Sequence, residues 1–133
     1  MDEIAPGTPL FGVFLDEAIK YFEDMKFNVE LSCDPSFDLL VWKHHYNRAA
    51  HLIPVYLVVR EEIRNDYLRE VALTLPCNAY LYITYKNPHG KWIHDILISY
   101  DFLTEEERQQ KLTEAPRYLS EIPIQQLKEN IHG

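Results

Sequence analysis

Asn78–Tyr100 reads NAYLYITYKNPHGKWIHDILISY, and this stretch decides how the chain folds. Two β-prone runs, 78–86 and 91–100, flank the turn formers Asn87-Pro88-His89-Gly90, the punctuation of a β-hairpin. A four-residue turn sets Tyr85 opposite Trp92, Ile83 opposite His94 and Leu81 opposite Ile96. On that register one face carries Leu81, Ile83, Tyr85, Trp92, Ile96 and Ile98, apolar enough to meet helices as the core. The opposite face carries Tyr80, Tyr82, Thr84, Ile93, Asp95 and Leu97.

Upstream of the hairpin the apolar period lengthens. Ile63, Tyr67, Leu68, Val71, Ala72 and Leu75 fall at helical spacing and stop at Pro76. Before them lie three short β-prone runs, 27–33, 37–43 and 52–60. Asp34-Pro35-Ser36 turns the chain between the first two, and a polar loop over 44–51 separates the second from the third. Pro54 sits near the start of its strand, where a missing N–H does least harm. Further back, Thr8-Pro9 marks a helix start, and Phe11, Phe14, Leu15, Ala18, Phe22 and Met25 line one side of a helix over 9–26.

Downstream, Thr104-Glu105-Glu106-Glu107 is a capping box for a helix that ends before Pro116. Pro123 interrupts the remaining segment, leaving Ile124, Leu127 and Ile131 for a short final helix or tail. The expected architecture is α+β, in the order α-β-β-β-α-β-β-α, with an antiparallel or mixed sheet packed by helices. Residues 1–133 read as one domain, with 1–7 a loose lead-in and 104–133 a helical C-terminal segment.

Composition narrows the function classes. The 133 residues are 47% hydrophobic and 13% aromatic, too apolar for a disordered chain. Twenty-one acidic against thirteen basic residues give a formal charge of −8. The densest basic stretch, Lys43–Arg48, holds only two fixed positive charges, so nucleic acid is a disfavoured partner. No apolar run is long enough to span a bilayer. Cys33 and Cys77 are the only cysteines, and the start carries no signal-like segment, which together point to the cytoplasm.

Chemistry-bearing motifs are sparse. His44, His45, His51, His89 and His94 show no metal-site spacing, and they read as loop or surface histidines. Neither cysteine lies in a CxxC pair, no GxSxG elbow occurs, and the four glycines form no phosphate-cradling loop. The expectation is no cofactor and no catalytic group. The Tyr-bearing face of the hairpin, extended through Leu40, Trp42, Tyr56 and Val58, instead suits a protein interface. Tyr80, Tyr82, Ile93, Leu97, Trp42 and Tyr56 are therefore the candidate partner-binding residues. The competing reading is that Leu119, Ile122, Ile124 and Leu127 of the C-terminal segment cover this face.

The element order, with Asn78–Tyr100 running into Leu103 and Thr104-Glu105-Glu106-Glu107, resembles the type III secretion chaperone-like fold. That resemblance implies a cytoplasmic homodimer that holds a client segment on hydrophobic patches without turnover. The first helix, three strands, helix and strand also resemble the PD-(D/E)xK nuclease-like fold. There Asp38 matches the first acidic metal ligand and Glu17 the helical acid. The third strand, however, reads Val58-Val59-Arg60, with valine in place of the acid and arginine in place of the lysine. This second resemblance implies a catalytically degenerate scaffold. An acidic inhibitor or immunity-type protein facing a basic partner is a further alternative.

Overall fold

Thr8 and Pro9 start the first helix as the sequence indicates. In the computed structural model, which describes residues 7–43 and 52–114, α1 spans Pro9–Asp24. The Thr8 hydroxyl accepts the Phe11 N–H at 3.3 Å, and Pro9 occupies the first turn, where its missing donor is not needed. Phe11, Phe14, Ala18 and Phe22 form the buried stripe. The helix closes through Lys26, whose φ of 70° is the left-handed geometry usual for glycine after a helix end.

Five strands come next: β1 (Phe27–Leu31), β2 (Leu39–Lys43), β3 (Ile53–Val59), β4 (Tyr80–Lys86) and β5 (Trp92–Ile98). They form one sheet in the order β1-β2-β3-β4-β5. β1, β2 and β3 make an antiparallel meander, and β4 and β5 an antiparallel hairpin. β3 and β4 run parallel, because α2 (Asn65–Leu73) carries the chain across one face of the sheet between them. The sheet is therefore mixed, and the α-β-β-β-α-β-β-α order holds. α3 (Glu105–Glu114) completes it after a 3-10 turn at Ser99–Phe102. The expected loop at 44–51 and the segment after 114, including the expected final helix, lie outside the described residues.

The helices take opposite faces. α1 packs with Phe27, Leu39, Val41, Ile53, Val55, Leu57, Val59, Tyr80, Tyr82 and Ile98. α2 packs with Val58, Leu81 and Ile83 through Leu68 and Val71, joined by Leu75 just past its end. Burial from both sides explains why β3, IPVYLVV, is apolar throughout and does not alternate. The α1 side is dominated by rings. Phe22 stacks on Tyr80 at 5.9 Å and 6° and meets Phe27 edge-on at 5.5 Å.

α3 is tied to α2 by polar contacts. The capping box forms, with Glu107 Oε1 accepting the Thr104 N–H at 2.7 Å and Thr104 Oγ1 accepting the Glu107 N–H at 3.3 Å. Arg69 donates to both Glu107 oxygens, at 2.9 and 2.8 Å, and to the Phe102 carbonyl at 2.8 Å. Lys111 donates to the Leu73 carbonyl at the end of α2, at 2.6 Å.

The hairpin register differs from the one expected from the sequence. The strands pair Lys86 with Trp92, Thr84 with His94 and Tyr82 with Ile96, one residue away from the expected register. Asn87 is the cause. Its N–H donates to the Lys91 carbonyl at 2.8 Å, and its side-chain oxygen accepts the N–H groups of His89 and Lys91. Asn87 thus joins the ladder, and Pro88-His89-Gly90 is a three-residue loop closed by Gly90 at φ 78°. A slip of one residue exchanges which β5 side chains accompany each face of β4. Trp92, His94, Ile96 and Ile98 join Tyr80 and Tyr82, while Ile93 and Leu97 join Leu81 and Ile83.

Candidate functional site

The register separates the residues expected to form one interface. Tyr80 and Tyr82 lie under α1, at 0% and 1% exposure. Tyr56, opposite Leu81 in the parallel pair, and Leu97 belong to the α2 side. Trp42 alternates with the α1-facing Val41, and Ile93 with the α1-facing Trp92 and His94, so both fall on the α2 side as well. Tyr80 and Tyr82 present no open aromatic face, because their rings are core. Of the six, Ile93 is the most exposed, at 38%.

The residues of the nuclease-like reading, Glu17, Asp38 and Arg60, have the following surroundings. Glu17 stands on the outer flank of α1. Asp38 accepts the Leu57 N–H through Oδ2 at 2.8 Å, and burial raises its carboxyl above the usual aspartate range despite that hydrogen bond. The Arg60 guanidinium lies over the Tyr67 ring, 4.0 Å from its centroid, and the Arg60 N–H donates to Thr84. Among the described residues, no three His, Cys, Asp or Glu side chains converge so as to hold a metal ion. None of the described helices is long and apolar enough to cross a membrane.

One edge of the sheet remains open. β5 is bonded only to β4, so one row of its backbone N–H and C=O groups has no strand partner among the described residues. The strand has seven residues, contains no proline, and is apolar on both sides through Trp92, Ile93, Ile96 and Leu97. Its one carboxylate, Asp95, accepts the Tyr85 hydroxyl at 2.8 Å and so leans across the hairpin, away from the edge. β1 at the other edge has five residues and carries the charged Glu30.

Beside β5, on the α1 side, a cleft of about 300 Å³ lies between the helix and the hairpin. Glu17, Lys20, Tyr21 and Asp24 follow one stripe of α1 and form one wall, with Tyr82 and His94 from the hairpin forming the other. His94 stacks on Tyr82 at 5.1 Å and 11°, and Tyr21 meets both rings edge-on. Burial holds the Tyr82 hydroxyl protonated well above the usual tyrosine range, and the neighbouring Glu17 and Tyr21 add to that. None of these six residues makes a hydrogen bond or ion pair through its side chain among the described residues. A second hollow, of about 240 Å³, lies between α2 and α3, but Glu107 and Lys111 in its lining are already paired.

Sequence reasoning singled out Tyr82, Ile93 and Leu97 but missed Tyr21, Asp24 and His94 as neighbours. The spacing of Glu17, Lys20, Tyr21 and Asp24 on one helical stripe was the available signal. Compared with known proteins, the chain matches no family model, no curated protein and no solved structure.

Proposed function

We propose that this protein is a non-enzymatic binding module, adaptor- or chaperone-like, that takes an extended segment of a partner protein as an added strand along β5. The observation that carries this reading is the outer edge of β5, without a strand partner among the described residues, seven residues long and apolar on both sides. Strand addition supplies affinity through main-chain hydrogen bonds, while alternate side chains on the two faces supply selectivity. With both sheet faces packed by helices, the β5 edge is where a partner meets backbone that has no strand partner among the described residues. The free thiols of Cys33 and Cys77 support a cytoplasmic setting for such a module.

The test uses an acetylated, amidated hexapeptide of alternating valine and threonine, and its counterpart N-methylated at every backbone amide. Amide hydrogen exchange across Trp92–Ile98 is expected to slow with the first peptide and stay unchanged with the second. No slowing with either would refute strand addition at β5. Light scattering coupled to size exclusion, at low and high salt, identifies the competing occupant. A salt-resistant dimer with protected β5 amides before any peptide is added would mean that a second copy fills the edge.

A further inference from the structure

We infer that the cleft between α1 and the hairpin is a side-chain pocket for a cationic residue, an arginine, carried by the extended partner segment on β5. This rests on the strand-addition reading, because an added strand is what delivers the side chain. Residues on such a strand alternate between the two faces of the sheet, and every second one lies on the α1 side beside Trp92, His94 and Ile96. Side chains directly across neighbouring strands have Cβ atoms about 5 Å apart. A long side chain next to His94 therefore reaches the cleft that His94 lines.

The chemistry of the walls selects the ligand. Glu17 and Asp24 set two carboxylates against the single ammonium of Lys20, in a chain whose formal charge is −8. Both carboxylates are unpaired among the described residues, so no internal ion pair has to break on binding. Tyr21 and His94 add ring surface on which a planar guanidinium can stack. The volume is at the small end for a ligand site, which suits one side chain more than a whole small molecule.

Tyr82 supplies the independent indication. The residue is 1% exposed, yet it lines the cleft, and its hydroxyl has no hydrogen-bond partner among the described residues. The Tyr82 oxygen is not among the fully buried described atoms that lack a partner, so it is reached from the cleft that Tyr82 lines and can accept from a ligand donor there. A guanidinium has five N–H donors, enough to reach the Tyr82 oxygen and an acidic wall together.

The experiment is an NMR titration with two hexapeptides of alternating valine and threonine, one carrying a central arginine and the other citrulline, its uncharged isostere. Both are expected to shift the Trp92–Ile98 amides, with the arginine peptide binding about tenfold more tightly. Only the arginine peptide is expected to shift the ring signals of Tyr21 and His94. In Glu17→Gln combined with Asp24→Asn, both exposed positions, the arginine advantage disappears and the citrulline affinity is retained. Equal affinity for the two peptides, with β5 responding to both, overturns the arginine pocket and leaves strand addition standing. Failure of β5 to respond to either peptide overturns both.

Discussion

Asp38 offers the sharpest test of how this sheet is held. Its backbone N–H donates to the Val55 carbonyl at 2.8 Å, and its carboxylate oxygen accepts the Leu57 N–H at 2.8 Å. The side chain thus extends the pairing of β2 with β3 one rung beyond Leu39, by taking the place of a strand carbonyl. Two substitutions separate the hydrogen bond from the charge. Asp38→Asn keeps an acceptor oxygen and removes the charge. Asp38→Ala removes both and leaves the Leu57 amide without its partner, at a cost of about 1–3 kcal/mol. Asp38→Asn is expected to stay within about 1 kcal/mol of the parent, because it also removes the desolvation of a charge.

The readout is urea unfolding followed by the fluorescence of Trp42 and Trp92. With a slope of about 2 kcal/mol per molar urea, a loss of about 2 kcal/mol in Asp38→Ala lowers the midpoint by about 1 M. The pH dependence has a definite sign. Burial raises the folded-state pKa of Asp38 above its ordinary 3.8, so the folded form holds its proton more tightly than the unfolded chain. Its contribution is therefore most favourable below 3.8 and declines as pH rises through the raised folded value. The stability of the parent relative to Asp38→Asn falls over that interval. Equal destabilisation by Asn and Ala at neutral pH would refute the hydrogen-bond account and assign the effect to the charge.

Three further perturbations probe other contacts. Arg69, and then the Thr104 amide, hold the Glu107 carboxyl down at about 2, against an ordinary 4.5. Its support for the α2–α3 contact is complete above 4.5 and is lost as pH falls towards 2. A carboxyl NMR titration should find that low midpoint, and Arg69→Gln should raise it. Cys33 is exposed while Cys77 is buried, with burial pushing its thiol pKa up, so a disulfide-exchange reagent should label one thiol rapidly and the second only on unfolding. Lys26 sits at φ 70°, where a side chain costs about 1–2 kcal/mol relative to glycine, so Lys26→Gly should raise the urea midpoint.

The element order was legible in the sequence because each element carries its own local signal. Pro9 and Thr8 start α1, Pro76 lies just beyond α2, and Gly90 turns the hairpin. Register was less legible, because it depends on one side chain. Asn87 reads as a loop residue by type, but its amide oxygen gathers two backbone donors and moves it into the ladder. That single residue decides whether Tyr82 shares a face with Ile93 or with His94. The sidedness of the helices was equally hidden. α2 crosses on the face opposite α1, so rings expected on an open surface became the floor under α1. Four apolar residues on one helical stripe mark a core, but four polar ones on the neighbouring stripe look like ordinary solvated surface. Only the adjacent hairpin makes Glu17, Lys20, Tyr21 and Asp24 one wall of a cleft.

Tyr82 brings both levels together and gives a test that separates folding from binding. Its ring is core, packed with Phe22 at 6.0 Å and stacked on His94, while its hydroxyl is unpaired among the described residues. Tyr82→Phe keeps the ring and deletes only the oxygen. Because no hydrogen bond among the described residues is lost, stability should change by less than about 0.5 kcal/mol, or increase slightly. Had the hydroxyl been an ordinary part of the core, its removal would cost about 1 kcal/mol. Binding behaves differently, since the arginine-bearing peptide loses an acceptor that the citrulline peptide uses less. A variant that unfolds at the parent's urea midpoint yet discriminates less between the two peptides would place the oxygen in recognition. A lowered midpoint with unchanged discrimination would place it in the fold and remove Tyr82 from the site.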